Sequence, residues 1–291
     1  MRIGFLGVGG MSTPMINNLL TDGHQVSIWN RTAAKCEALS DSGAVVVQTP
    51  AEACERSGIV MSCLAGDPSV DAVLSDGAVV DKLGEGGIHV AMSTVSAQCT
   101  TTHLEAHKNR GVTLIAAPIV GRPDAVAARM QSYLIAGDRD AKAKVTPILD
   151  ALGAKVFDFG DEPATASIAK IAFNFLIASA IESMAEAFTV IEKSGIDKQS
   201  FYELVTGTAF GCRIYEGYGK LIHERTFDSP LFSLALGLKD VSLAQEAMHQ
   251  AGVAAPFAQL LVDRYSQAVD DGLGETDWTG ITETVRKESG L

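Results

Sequence analysis

The sequence predicts an α/β chain in which an N-terminal doubly wound parallel sheet is followed by an all-α C-terminal domain. Short, nearly continuous apolar runs alternate with helical patterns up to about residue 160, as expected for parallel strands buried on both faces. After Gly160-Asp161-Glu162-Pro163 only helical periodicity remains. We therefore predict two domains, at residues 1–162 and 163–291.

The elements of the first domain follow from these runs in order. Strands are predicted at residues 2–6, 25–29, 44–47, 59–63, 88–92, 113–116 and 133–136. Helices are predicted between them at residues 11–21, 33–40, 51–56 and 97–109. A last helix at 141–152 and a last strand at 155–159 are assigned to the same domain. This alternation implies right-handed βαβ units and one parallel sheet.

Composition excludes several classes of protein. Of 291 residues, 47% are hydrophobic and 20% are charged, which excludes a disordered chain, collagen and a coiled coil. The chain has 23 Lys and Arg against 35 Asp and Glu, a net charge of −12 with no basic run, which argues against nucleic-acid and membrane partners. Five cysteines without a CxxC pair argue against a disulfide framework and a zinc knuckle, and they indicate a cytoplasmic protein.

The run at residues 164–181 contains a single charged residue, Lys170. A run of this length is at the short limit for a membrane span, and Lys170 and Asn174 at its centre would be costly in lipid. We therefore predict a core helix, apolar on all sides and extending to about residue 193, that joins the domains and packs against a second subunit.

A glycine-rich loop follows the first strand. The segment is Gly7-Val8-Gly9-Gly10-Met11-Ser12 and leads directly into a helix. The first glycine permits a tight turn and the second lets the backbone approach a pyrophosphate at the helix N-terminus, while Ser12 is small enough for close packing. Its position at the start of a βαβ unit favours nucleotide binding over an ordinary flexible turn.

The end of the second strand indicates which dinucleotide is bound. The sequence there is Asn30-Arg31-Thr32, without the carboxylate that bonds a ribose 2′-hydroxyl in NAD-binding folds. The guanidinium of Arg31 suits a 2′-phosphate, and Thr32 can add a hydroxyl and cap the next helix. This predicts NADP(H); the alternative is a solvent-exposed Arg31 on a loop.

Lys170 and Asn174 form a candidate catalytic pair. Burial in an apolar run disfavours an ammonium group and lowers the pKa of a lysine toward neutrality, where it can exchange a proton with an alcohol or carbonyl oxygen. Asn174 lies four residues later on the same helical face, where its amide can donate to the substrate oxygen or hold Lys170 in place. The alternative is a lysine that extends to solvent.

Several motifs occur in the order found in one enzyme family. They are Gly4-Phe5-Leu6-Gly7-Val8-Gly9-Gly10-Met11, Asn30-Arg31-Thr32, Ser93-Thr94-Val95-Ser96, Ala117-Pro118, Lys170 with Asn174, and Lys239-Asp240. Over essentially its whole length the chain resembles the β-hydroxyacid dehydrogenases, relatives of 6-phosphogluconate dehydrogenase. The resemblance implies an N-terminal Rossmann domain, a helical C-terminal domain, a homodimer or homotetramer, and hydride transfer between NAD(P) and a small hydroxy acid or aldehyde.

The resemblance also implies roles for individual residues. Lys170 corresponds to the family's catalytic lysine, Thr94 meets the cofactor near the nicotinamide, and Ser96 faces the substrate. Lys239 reaches the cofactor and Asp240 orients its neighbours; the alternative for this pair is an exposed salt bridge. Cys63-Leu64-Ala65 ends the fourth strand, and its backbone is expected to line the adenosine–ribose side.

One segment departs from the family pattern. Members that act on hydroxy acids usually have Ser-Gly-Gly after the Ala-Pro, and this chain has Val120-Gly121-Arg122. Arg122 can either clamp a substrate carboxylate or point to solvent and leave a more apolar pocket. The departure leaves an NADPH-dependent imine reductase or reductive aminase as an alternative, although such relatives commonly replace the catalytic lysine. A catalytically silent nucleotide-binding scaffold is a third hypothesis.

A histidine pair is the remaining candidate for chemistry. His103 and His107 lie four residues apart with Glu105 between them, but HLEAH is not the HExxH arrangement of zinc enzymes. We therefore expect a solvated helix face and no metal site.

Overall fold

The computed structural model describes residues 1–55 and 57–291. The chain divides into two compact units, Met1–Lys170 and Ile171–Leu291. The predicted domain boundary at 162/163 stays a prediction.

The first unit is built on a parallel sheet. Its strands are β1 (Arg2–Leu6), β2 (Gln25–Trp29), β3 (Val45–Val46), β4 (Ile59–Ser62), β5 (Ile88–Ala91) and β6 (Thr113–Ala116). Their order is β3-β2-β1-β4-β5-β6, and every neighbouring pair is parallel. This is the doubly wound order, and the direction of winding changes between β1 and β4. The predicted fold class is confirmed.

Helices lie between the strands of the first unit. They are α1 (Ser12–Thr21), α2 (Glu37–Asp41), α3 (Pro50–Ala53), α4 (Asp67–Leu74), α5 (Ala78–Leu83), α6 (Ala97–Lys108), α7 (Pro123–Ala127) and α8 (Arg139–Leu152). The helix predicted at 33–40 begins as a 3₁₀ turn over Ala33–Cys36. The helix predicted at 51–56 is α3, and Arg56 lies outside the described residues. Helices α4, α5 and α7 were not predicted, because each is too short to establish a helical period.

A second, smaller sheet corrects the prediction of one parallel sheet. Its strands are β7 (Ile119–Val120), β8 (Ser132–Ile135) and β9 (Lys155–Asp158), in the order β7-β8-β9. The β7–β8 pair is antiparallel and the β8–β9 pair is parallel. The strands predicted at 133–136 and 155–159 therefore exist but belong to this sheet. A strand of two residues such as β7 shows no alternation, so the sequence could not reveal it.

Both faces of the large sheet are buried. Ile3, Phe5 and Met61 contribute to a core on one face, and Leu6 and Val60 contribute to a core on the other. Burial on both faces explains why β1 and β4 are almost continuously apolar instead of alternating.

The second unit is helical, as predicted. Helix α9 (Pro163–Lys193) enters it, followed by α10 (Lys198–Thr206), α11 (Arg213–Glu224), α12 (Leu234–Gln250), α13 (Pro256–Ala268) and α14 (Ile281–Glu288). A π-helical segment spans Val269–Leu273 and a 3₁₀ turn spans Trp278–Gly280. The core of this unit includes Trp278, which packs edge-on against Tyr218 and Phe232.

Helix α9 exposes apolar side chains. Leu176 is 64% exposed and Val190 is 59% exposed in the single chain, so the chain alone does not cover these side chains, and the predicted packing against a second subunit stays a prediction. Among the described residues, α9 is the one helix long and apolar enough to cross a membrane, which is weak evidence for insertion on its own.

Candidate active site

The glycine loop after β1 lies tightly against the end of β4. Gly7 has φ +94°, and a Cβ at this position would lie 2.4 Å from the carbonyl oxygen of Cys63. Only glycine fits there, because both the backbone angle and the space exclude a side chain. In contrast, a Cβ on Gly9 would meet no atom within 4 Å. The loop is therefore close to the sheet at its start and open at its second glycine, as the predicted approach of a pyrophosphate requires.

Side chains hold the open part of the loop in place. The Val8 N–H donates to Asn30 Oδ1 at 3.0 Å, and the Gly9 N–H donates to Ser12 Oγ at 2.8 Å. Asn30 Nδ2 in turn donates to the Thr32 carbonyl oxygen at 2.9 Å. Asn30 thus joins the loop after β2 to the glycine loop. The sequence predicted Asn30 as a cofactor contact, and it did not reveal this positioning role.

Gly10, Arg31 and Thr32 are exposed, whereas Met11 packs against the core. Met11 is half-buried just before α1, whose first turn contains no acidic residue. The Thr32 side chain makes no capping hydrogen bond to the following 3₁₀ turn, so the predicted cap is wrong.

The ends of β4 and β5 are joined next to the glycine loop. The Leu64 N–H donates to Ser93 Oγ at 2.8 Å, and the Cys63 N–H donates to the Leu6 carbonyl oxygen at 2.9 Å. The segment Cys63-Leu64-Ala65 and the half-buried Thr94 therefore share the carboxyl edge of the sheet with the loop, where doubly wound folds bind their ligands.

Ser96 is held by Asp67, a residue that was not predicted as part of the site. Its N–H and its Oγ both donate to the carboxylate of Asp67, at 3.0 and 2.5 Å. The same Oγ accepts from the Cys99 N–H at 2.9 Å and so caps α6. The hydroxyl proton of Ser96 is therefore committed to Asp67. Its contact with a substrate stays a prediction, and the Asp67-Pro68 pair that opens α4 was the available signal.

The segment that departs from the family pattern forms β7 and the turn into α7. Val120 is half-buried and packs in an apolar cluster with Leu134 and Ala169. A Cβ on Gly121 would lie 2.8 Å from Gln131 Cβ, so the backbone passes close to β8. Arg122 Nη2 lies 3.5 Å from Asp124 Oδ2, and 33% of the Arg122 side chain is exposed.

Lys170 is buried at the end of the first unit, with 7% of its surface exposed. Its neighbour Ala169 belongs to the cluster that contains Val120. One turn earlier, Ser167 Oγ lies 2.9 Å from Thr100 Oγ1, which joins this part of α9 to the first turns of α6. The first unit thus places the segment that carries Lys170 beside the elements that carry Val120 and Ser96.

The second unit contains a buried carboxylate, Asp240, which is 1% exposed. Asn174 Nδ2 donates to Asp240 Oδ2, and Lys239 Nζ lies 2.7 Å from Asp240 Oδ1. Asn174 is 5% exposed, and the Lys239 side chain is 26% exposed. Lys239 and Asp240 do form an ion pair, but the alternative of an exposed surface pair is wrong because the acid is buried.

The histidines of α6 are buried, which corrects the expectation of a solvated face. His107 Nδ1 lies 2.6 Å from the His103 carbonyl oxygen, and His107 Nε2 lies 2.9 Å from His89 Nδ1. His89 Nε2 completes the chain at 2.8 Å from Ser62 Oγ. Burial lowers the pKa of His107 to about 4 and the pKa of His89 well below its usual range, so both rings are neutral at physiological pH.

The fold and the loop define a pyridine-nucleotide-binding protein, and comparison with known proteins identifies its family. Residues 2–160 match the NAD binding domain of 6-phosphogluconate dehydrogenase. Residues 164–285 match the family described as NAD-binding of NADP-dependent 3-hydroxyisobutyrate dehydrogenase. The chain belongs to the β-hydroxyacid dehydrogenase family, and it is an oxidoreductase that acts on hydroxyl groups.

Full-length relatives support this assignment. The chain is 35% identical over 287 residues to the uncharacterized oxidoreductase YfjR of Bacillus subtilis, which covers 98% of this chain and 100% of the relative. It is 28% identical to glyoxylate/succinic semialdehyde reductase 1 of Arabidopsis thaliana, over 98% of this chain and 99% of the relative. A structure of Mycobacterium tuberculosis 3-hydroxyisobutyrate dehydrogenase with L-serine is 25% identical, with a TM-score of 0.87 over 98% of each chain. A Myxococcus stipitatus imine reductase with NADP⁺ shares the fold at 20% identity, over 97% of this chain and 99% of the other, with a TM-score of 0.68.

Proposed function

We propose that this protein is an NADP(H)-dependent oxidoreductase that transfers a hydride between the nicotinamide and a small hydroxy acid, aldehyde or keto acid. Lys170 is the general acid and base of this proposal. The observation that carries it is the burial of Lys170, the one cation in the apolar run 164–181, beside the elements that hold Val120 and Ser96.

The residues of the first unit suit the dinucleotide. The open space at Gly9 and an α1 N-terminus without acidic side chains favour a pyrophosphate, held by Gly7, Val8, Gly9, Gly10 and Met11. The exposed Arg31 is able to bond a 2′-phosphate together with Asn30 and Thr32. Cys63-Leu64-Ala65 would line the ribose side, with Thr94 near the nicotinamide. Lys239, a residue of the second unit, is proposed as a further cofactor contact from the family resemblance. The bound cofactor supplies or accepts the hydride.

Lys170 handles the proton that must accompany the hydride. In reduction, the Lys170 ammonium gives a proton to the carbonyl oxygen as it becomes a hydroxyl; in oxidation, the neutral amine takes that proton back. Asn174 follows one turn later, and its Nδ2 donates one hydrogen bond to Asp240. In this proposal Asn174 either holds Lys170 in place or donates its second amide hydrogen to the substrate oxygen, and Asp240 orients Asn174.

The substrate class rests on Val120-Gly121-Arg122 and on the relatives. Arg122 is partly exposed beside Asp124, so it can reach a substrate carboxylate. Val120 adds an apolar wall in place of the usual serine. A relative named for glyoxylate and succinic semialdehyde favours small aldehydes that carry a carboxylate.

A panel of carbonyl substrates tests this function. NADPH consumption is measured with small aldehydes, keto acids and cyclic imines, each with and without an added amine. We expect turnover of aldehydes or keto acids without the amine. Turnover of imines alone would favour the imine reductase alternative, with which the fold is shared. No NADPH oxidation with any carbonyl would favour the silent scaffold.

Lys170→Ala tests the proposed acid and base. Loss of a general acid lowers rates by about 10²–10⁴, so we expect kcat to fall at least about a hundredfold while NADPH still binds, as measured by fluorescence titration. Lys220→Ala removes an exposed lysine from α11 and is the control. Near-normal turnover of Lys170→Ala would disprove the catalytic role.

Arg31→Asp tests the proposed cofactor preference. A carboxylate at this position repels a 2′-phosphate and accepts from a ribose 2′-hydroxyl, so the ratio of kcat/KM for NADPH to that for NADH should reverse. Lys35→Asp introduces the same charge change in the adjoining 3₁₀ turn and should leave the ratio nearly unchanged. An unchanged ratio in Arg31→Asp would contradict the 2′-phosphate contact.

We further propose a cytoplasmic homodimer or homotetramer in which the exposed apolar side chains of α9, including Leu176 and Val190, pack against a second subunit. A monomeric mass by light scattering would contradict the association.

A further inference from the structure

The geometry points to a divalent-metal site of the zinc type at Asp71, Cys99 and His103, which joins α4 to α6. This inference does not depend on the proposed function, and it departs from the sequence-based expectation of no metal site.

Three donor atoms of different chemistry converge at this place. Cys99 and His103 lie four residues apart on α6 and so share one face of the helix. Asp71 reaches them from α4, with its Oδ1 2.8 Å from His103 Nε2. The ligand atoms of all three side chains lie within 4.8 Å of one another, so small rotations bring them onto one ion.

The surroundings favour a cation that can enter from solvent. Cys99 and His103 are buried, at 7% and 4% exposure, whereas the Asp71 side chain is 56% exposed. The buried pair gives a dry, fixed half of the site, and the exposed carboxylate leaves an open side for entry and for a fourth ligand such as water. The carboxylates of Asp67 and Asp71 place negative charge beside the Cys99 thiol. The same negative field attracts a divalent ion, whose charge then displaces the thiol proton.

Two further contacts hold the ligands in place. The His103 carbonyl oxygen accepts from His107 within the buried histidine chain. The Cys99 N–H donates to Ser96 Oγ, which itself donates to Asp67 at the start of α4. The α6 ligands are therefore fixed at their backbone before any ion binds.

The donor set selects the ion. One thiolate, one imidazole and one carboxylate match Zn²⁺, which takes three protein ligands and an open fourth position. Mg²⁺ and Ca²⁺ require oxygen ligands and do not suit a site with a buried sulfur.

Cobalt titration of the full-length protein in reducing buffer tests the site, because Co²⁺ takes the same tetrahedral ligands and is coloured. We expect one equivalent to bind, with a thiolate-to-cobalt charge-transfer band, release of one thiol proton and loss of colour when Zn²⁺ is added. Cys99→Ser should abolish the charge-transfer band. Asp71→Asn should weaken cobalt binding by more than about a hundredfold, because the loss of a ligand should exceed the roughly 10–100-fold effect of losing an outer partner.

Matched controls separate the site from other thiols and acids. Cys212→Ser removes the exposed cysteine of the second unit, and Glu105→Gln neutralises an exposed acid on α6; both should bind cobalt as the wild type does. Cobalt binding without a sulfur band, or unchanged affinity in Asp71→Asn, would overturn the proposal. If Cys99→Ser does not fold, the folded Asp71→Asn variant still decides the question, since its altered carboxylate is at the surface.

Discussion

The two units accommodate negative charge in opposite ways. In the first unit, the predicted phosphate site is made mainly of backbone: a glycine loop fixed by Asn30 and Ser12, with open space at Gly9. In the second unit, carboxylates of the chain itself are buried, and side chains pair with each of them. Asp240 is held by Asn174 and Lys239, and Glu182 is held by Arg264.

This difference explains why the sequence revealed the glycine loop and not the buried ion pair of Glu182 and Arg264. A backbone site requires glycine at fixed spacing, so its signature lies within a few consecutive residues. The two partners of a buried ion pair can be distant in the chain, as Glu182 and Arg264 are. No local sequence pattern then indicates the pair. The predicted phosphate site would bind its anion reversibly. The buried ion pairs, in contrast, are constant parts of the folded core.

The largest predicted effect concerns the buried ion pair of Arg264 and Glu182. Arg264 Nε lies 2.9 Å from Oε1 of Glu182, which is 1% exposed, and burial already raises the pKa of that carboxyl. Arg264→Met leaves the carboxylate buried without its cation, so we expect the free energy of unfolding to fall by about 3–5 kcal/mol in urea titrations at pH 7.

An exposed ion pair of the same unit provides the control. Arg225 pairs with Glu283 through two hydrogen bonds at 2.8 and 2.7 Å, but the Arg225 side chain is 44% exposed. Arg225→Met should therefore cost no more than about 1 kcal/mol. Equal losses in the two variants would show that burial does not distinguish these pairs.

Alanine at two loop glycines separates folding from ligand binding. Gly7→Ala places a Cβ against Cys63 at positive φ, and we expect it to cost about 2–4 kcal/mol of stability. Gly9→Ala meets no protein atom, so its thermal stability should be nearly normal.

The new methyl group of Gly9→Ala instead occupies the space proposed for the pyrophosphate. We expect NADPH affinity to fall at least about tenfold, which corresponds to about 1.4 kcal/mol. Unchanged NADPH affinity in this variant would contradict pyrophosphate binding next to Gly9. A large loss of stability would contradict the finding that a Cβ on Gly9 meets no atom of the protein.

The smallest predicted effect is a change in acid sensitivity. Burial, His107 and His103 hold the pKa of His89 well below its usual value, so below about pH 6.5 the unfolded chain binds a proton that the folded chain does not. Stability should therefore fall as the pH drops from 6.5 toward 5. In His89→Gln the pH dependence should be shallower, while replacement of the exposed His249 by Gln should leave it unchanged. If the pH dependence of stability is the same in His89→Gln as in the wild type, this histidine does not contribute to the acid sensitivity.

The sequence predicted most of what depends on local pattern. Strands β1, β2 and β6 begin and end where the sequence predicted, because the buried positions of each strand are apolar. The glycine loop and the burial of Lys170 were also predictable, the first from spacing and the second from an isolated charge in an apolar helix.

What the sequence did not predict depends on tertiary partners. Strand β7 exists because it pairs with β8, and its two residues carry no pattern of their own. Asp67 matters through Ser96, which lies 29 residues later. His103 and His107 were expected on a solvated face because HLEAH is not a zinc arrangement. The contacts of these side chains with His89 of β5 and Asp71 of α4 show that they point inward.

The chain of hydrogen bonds through His89 has a fixed direction. A carbonyl oxygen can only accept, so His107 Nδ1 carries the hydrogen that meets His103. It follows that His107 Nε2 accepts from His89 Nδ1, and that His89 Nε2 accepts from the Ser62 hydroxyl. All three donors therefore point from Ser62 toward His103. A proton added to His107 Nε2 would face the N–H of His89, and a proton added to His89 Nε2 would force the Ser62 hydroxyl to rotate away. Ser62 immediately precedes Cys63, so the orientation of one hydroxyl beside the proposed cofactor segment is determined by a backbone carbonyl two imidazole rings away.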